Sequence, residues 1–143
     1  SADRVGVRVS PVGSYNDMKD SAPRELFVAA AEALAKRHIA YLHVVEGLPG
    51  SFMHVPWPER ITPHLRKAFR GALIMNGGYD AASATKALQA GEGDLIAFGM
   101  PFLANPDLPE RVRRNAPLNQ PDFATFYTPG PKGYADYPAL AAK

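Results

Sequence analysis

Cysteine is absent from the 143 residues. That removes a disulfide scaffold and any thiolate metal site, and it fits a reducing compartment, so the cytoplasm is the expected location. Long apolar runs are missing too: no window approaches the run of about 20 apolar residues that a membrane span needs. The first ten residues, SADRVGVRVS, lack the anatomy of a signal peptide. Charge of one sign is likewise scarce, with 16 Lys and Arg against 14 Asp and Glu for a net +2. Neither a nucleic acid nor a membrane surface is therefore expected as a partner, although ERVRRN at Glu110 to Asn115 is locally basic. The four histidines form no H-x-x-x-H or H-x-x-H pair, and no metal is expected. His43, alternating with apolar neighbours, reads as a satisfied core histidine rather than a catalyst.

What is present is alternation. Arg4 to Ser10 repeats with period two, placing Val5, Val7 and Val9 on one face and Arg4, Gly6, Arg8 and Ser10 on the other, which predicts a strand. Ser21 as N-cap, Pro23 in the first turn and an apolar face of Phe27, Ala30, Ala31 and Leu34 predict a helix. The pattern recurs with a strand at Ala40 to Glu46, a long loop, and a helix from Thr62 to about Phe69. It continues with a strand at Ala72 to Asn76, a helix capped by Asp80 and stopped at Gly91, a strand at Asp94 to Phe98, and a helix opening near Asp107. Residues 1–116 thus hold four βα units, and residues 117–143 form a C-terminal tail.

Strict βα alternation implies a parallel sheet covered by helices. An open doubly wound sheet would want both faces of a central strand apolar, yet the first strand carries two arginines and a serine on one face. The mouth of a (βα)8 TIM barrel tolerates such residues, because inward polar groups there meet ligand rather than core. Four strands cannot close a barrel, so the expectation is half of one. The last two strands end in NGGYD and FGMPF, glycine turns that expose backbone amides. Phosphate sites of these barrels use the turns after strands 7 and 8, which makes the segment strands 5 to 8. On this evidence a phosphate-binding barrel of another chemistry, such as a sugar-phosphate isomerase, and a non-catalytic half-barrel that self-associates both stay open. Glycine after a strand is also an ordinary turn residue.

Taken in order, RVGVRVSPVGSYNDM, AYLHVVEG, LIMNGGYDAASA, DLIAFGMPFLANPDLPER and FYTPGPKGYADYPAL closely resemble the C-terminal half of the Old Yellow Enzyme family. The resemblance implies an FMN-containing ene-reductase on a TIM barrel, which takes hydride from NAD(P)H and reduces activated alkenes such as enals, enones, nitroalkenes and maleimides. It implies Arg8 beside the flavin N1 and O2, and an FMN phosphate held at Asn76, Gly77 and Gly78 and by the Gly99 and Met100 amides. Where Met100 stands, the family pattern has arginine. Tyr127 matches a tyrosine near the flavin edge and substrate cavity. Apart from the resemblance, Trp57, the only tryptophan, lies in the long loop at the mouth end of the second strand, where loops carry substrate specificity, and is placed in the substrate pocket. The proton-donor tyrosine and the pair of residues gripping the substrate belong to the first four strands, so no catalytic residue is assigned in this half. The implied partner is the complementary N-terminal half, as a separate chain or a rearranged polypeptide. Glu46 receives no role.

Overall fold

The computed structural model describes residues 1–51 and 53–141. They form two compact units, Ser1–Ala97 and Phe98–Lys143. The first unit holds a four-stranded parallel sheet in the order β1-β2-β3-β4, with β1 at Gly6–Val9, β2 at Tyr41–Val45, β3 at Ala72–Asn76 and β4 at Leu95–Ile96. Every strand pairs with its successor in sequence. A doubly wound sheet reverses direction at a switch point, whereas a barrel adds strands in one direction, so this order is that of a barrel segment.

Register divides the sheet cleanly. Val7, Leu42 and Leu73 align, as do Val9, Val44 and Met75, and this face packs on the helices. Leu42, Val44 and Leu73 join Ala31 of α1 (Pro23–Ala35), Ile61, and Leu65 of α2 (Thr62–Ala68) in one buried cluster, with Phe69 beside them. Phe27, Val28 and Leu34 pack onto it, as the period of the helix required. The opposite face carries Arg8, His43, Ile74 and Leu95 in one row. No described helix is long and apolar enough to cross a membrane.

Several boundaries differ from expectation for local reasons. β1 starts at Gly6, because residues Ala2–Arg4 close a 3-10 turn, so Arg4 is outside the strand. Ser21 is not the N-cap of α1. Ala22 takes that place, with Pro23 at the first helical position, and the Asp20 carboxylate accepts from the Ala22 amide at 2.7 Å. β4 is two residues long rather than five: the Asp94 and Ala97 amides bracket it with bonds to the Leu73 and Met75 carbonyls, and its paired residues are Leu95 and Ile96. Helix α3 (Ala81–Gln89) does open on Asp80, which accepts from the Ser83 amide while the Ser83 hydroxyl accepts from the Asp80 amide.

In the second unit, Met100–Ala104 forms a short helix, α4, where the sequence suggested only an apolar turn, and Leu108–Arg114 forms α5. The tail from Pro117 to Leu140 is fastened to α5 and to the turn before it, within the same unit.

Candidate functional site

Arg8 lies on the sheet face turned away from the helices, is exposed, and stands in register with His43. It makes no ion pair with any described carboxylate. A strand arginine neutralised inside the core is therefore not what the structure shows. It presents a free cation on the inward face. His43 departs from the satisfied core histidine expected: it is half-buried on the same inward face, and its Nε2 is buried without a hydrogen-bond partner. Burial, assisted by the Arg8 charge, pulls its pKa below the ordinary 6.5.

After β3 the chain turns through Gly77 and Gly78, both at positive φ, +141° and +94°. Neither amide donates to a described group, so the turn offers free N–H groups, the element from which backbone anion sites are built. Packing gives a reason of its own for glycine here. A Cβ on Gly77 would fall 2.1 Å from the Glu46 carbonyl oxygen, and one on Gly78 would fall 2.3 Å from Ser51 Cβ. The β2–α2 loop lies directly against the turn. Asn76 donates from its side-chain amide to the Ala97 carbonyl at 2.7 Å, tying the ends of β3 and β4 together.

Glu46, unassigned from sequence, has a clear role. Only 5% exposed, its carboxylate accepts from the amides of Ile61 at 2.7 Å and Thr62 at 2.9 Å, and from the Thr62 hydroxyl. It caps α2 from a distant position in sequence. Trp57 and its neighbours Val55 and Pro56 form one wall of an open cavity of about 470 Å³. Met18, Leu26 and Phe27 contribute to the rest.

The second unit carries the other three expected positions, Gly99, Met100 and Tyr127. Gly99 is exposed, and a Cβ there would meet nothing within 4 Å, so its backbone is open to approach. Its carbonyl accepts from Phe102 and Leu103 as α4 begins, and Met100 is the first residue of that helix. Tyr127 is 97% exposed and its amide donates to the Tyr134 hydroxyl at 2.6 Å. Sequence spacing missed the groups that organise this unit. Asn105, fully buried, donates to the Pro101 carbonyl and accepts from the Asn119 amide. Arg111, 4% exposed, binds Asp107 at 2.6 Å and the carbonyls of Pro117 and Pro138. The terminal G-Y-x-D-Y-P run is explained in the same way. The Gly133 amide donates to Asp136, Tyr137 receives the Asp122 amide, and Pro138 offers its carbonyl to Arg111.

The model of the NADH:flavin oxidoreductase / NADH oxidase family matches residues 1–119. The chain belongs to that family. Its cofactor is FMN, and the family is one of oxidoreductases. Among curated relatives, the 12-oxophytodienoate reductase-like protein of Solanum lycopersicum is 44% identical over 97% of this chain and 37% of its own length. The 12-oxophytodienoate reductase 2 of Arabidopsis thaliana is 40% identical over 96% of this chain and 37% of its own length. Among solved structures, morphinone reductase superposes with a TM-score of 0.88 at 41% identity, covering 97% of this chain and 37% of that one. The old yellow enzyme homologue from Zymomonas mobilis gives 0.90 at 40%, covering 94% and 38%. Another morphinone reductase structure is a complex with tetrahydroNAD, a nicotinamide. The chain thus spans less than half the length of these relatives, and its parallel sheet is part of an Old Yellow Enzyme barrel.

Proposed function

We propose that this chain supplies the second half of the barrel of an FMN-dependent ene-reductase, which takes reducing equivalents from NAD(P)H and acts on activated C=C bonds such as those of enals, enones, nitroalkenes and maleimides. The observation that carries this reading is the Arg8 guanidinium, unpaired and exposed on the inward face of the sheet. When bound, FMN supplies the relay of hydride between nicotinamide and alkene. The residues of this chain bind and tune it. Arg8 places a fixed positive charge where negative charge accumulates on a reduced isoalloxazine. Asn76 holds the end of β3 so that the Gly77 and Gly78 amides stay free to donate to phosphate oxygens. Gly99, where a Cβ would meet nothing within 4 Å, and Met100 at the start of α4 are assigned amides of the same kind. Met100 gives an amide alone where an arginine would add a charge-assisted contact.

Trp57, on a cavity wall, and Tyr127 are assigned to the substrate side of the site. The proton donor is assigned to the N-terminal half of the barrel, the proposed partner of this chain, and the working compartment is the cytoplasm. A small activated alkene is the other partner; no nucleic acid or membrane partner is invoked. The test is Arg8→Ala in the flavin-loaded protein with its barrel complete. The variant is expected to lower the flavin reduction potential and slow flavin reduction while leaving the thermal midpoint nearly unchanged, because the residue is exposed and unpaired. An unchanged potential and rate overturn the assignment.

A further inference from the structure

Sixteen residues, 46–61, connect β2 to α2 without regular secondary structure among those described. A loop that long inside a compact unit is generally functional. Its two ends are fastened to one place. At the start, the Leu48 amide donates to the Gly77 carbonyl at 2.7 Å, and Ser51 fills the space over Gly78. At the finish, Arg60 donates through one guanidinium nitrogen to the Tyr79 hydroxyl at 3.2 Å and through the other to Glu92 at 3.0 Å. Tyr79, 6% exposed, directly follows Gly78 in the chain and donates in turn to Met75 Sδ at 3.6 Å. The Glu46 carboxylate, already engaged in capping α2, stands 3.9 Å from Arg60 Nε. That Nε is buried and has no hydrogen-bond partner. An arginine serving packing alone would be expected to use this donor, since leaving it bare is unfavourable. Here the donor is forfeited while the fork stays on Tyr79 and Glu92. Between the two fastenings lie Val55, Pro56 and Trp57, one wall of the open cavity.

We propose that Arg60 is a positioning residue that couples this loop to the Gly77–Gly78 turn, so that an anion held on the turn's amides also orders the wall carrying Trp57. The inference rests on the reading that the turn receives the FMN phosphate. Its physical basis is the shortness of the link: the guanidinium holds the phenol of the residue next to Gly78 and is itself three residues from Trp57. A turn fixed by phosphate fixes Tyr79, and Tyr79 gives Arg60 a stationary acceptor. Cofactor binding and the shape of the substrate side are thereby linked. By reciprocity, a loop held by substrate tightens the turn on its phosphate.

The experiment compares the flavin-loaded protein, its barrel complete, with Arg60→Met, Arg60→Lys and Tyr79→Phe. Dissociation constants for FMN and riboflavin are measured by flavin fluorescence, and backbone hydrogen exchange is followed over residues 47–57. In the unsubstituted protein FMN is expected to slow exchange in the loop more than riboflavin does. Arg60→Met is expected to abolish that difference and to weaken FMN binding about tenfold, with riboflavin affinity changing less than about twofold. Arg60→Lys, which keeps the charge and loses the fork, falls between. A merely structural arginine would weaken both ligands alike and speed exchange through α2 and β3 as well. Should Arg60→Met fail to fold, Tyr79→Phe cuts the same link with one oxygen atom, and loss of the FMN-specific protection is again expected. Persistence of that protection in Tyr79→Phe or Arg60→Met overturns the coupling. Equal affinity of the unsubstituted protein for FMN and riboflavin instead removes the phosphate from the turn, and the coupling with it.

Discussion

His43 sits in register between Arg8 and Ile74, with one ring nitrogen buried and unpaired. Burial first, and the Arg8 charge second, lower its pKa from 6.5. The sign of the pH dependence follows. With the folded-state value below the unfolded one, the unfolded chain binds more protons between the two, so stability falls as pH falls. The loss begins near the ordinary value of 6.5 and is complete at the lower folded value. His43→Leu should therefore flatten the urea midpoint measured from pH 7.5 down to pH 5, and an unaltered pH slope would contradict it. At this scale the sequence was legible in residue type and in face, since period two put Arg8 on the side away from Val7 and Val9. Partners were not legible. Nothing near Glu46 in sequence announces that its acceptors' donors lie at Ile61 and Thr62, because capping from another element is a tertiary fact.

Among the elements, the strands and long helices followed from periodicity because each must bury one apolar face, and that requirement is written locally. The short pieces were less legible. β4 keeps only Leu95 and Ile96 in the ladder, and α4 is five residues long, too short for any period to register. The A-N-P-D-L run could be matched to a family but not explained until the tail was seen bound to it. Asn105 makes the dependence testable. It is fully buried, donates to the carbonyls of Pro101 and Asn119, and accepts from the Asn119 amide at 2.7 Å. Asn105→Ala removes the side-chain partner of that amide and of both carbonyls and is expected to destabilise by about 2 to 3 kcal/mol, from the desolvation of unpaired buried groups. Hydrogen exchange at the Asn119 amide in the full chain should quicken. If it stays protected while the denaturation midpoint is unmoved, the tail is held by something else.

For the molecule as a whole, the sheet bears on the proposed pairing with a complementary half-barrel. Among the described residues β1 pairs only with β2 and β4 only with β3, so both outer edges carry unpaired backbone groups. The inward face adds exposed side chains: Tyr41 is 40% exposed and Leu95 53%. Exposed edges and exposed apolar surface both favour association, and a second half-barrel satisfies the two together. Arg8 shares that inward face, and in the proposed division of labour the flavin site is completed by the other strands of the barrel. The chain alone is accordingly expected to associate in sedimentation velocity and to retain little flavin. Mixing it with the N-terminal half should give one species of defined mass with the flavin absorption bands and alkene-reducing activity. Homogeneous monomers of the chain alone that bind flavin and reduce an enone would show that the inward face is self-sufficient, and the division of labour proposed between the two halves would then be wrong.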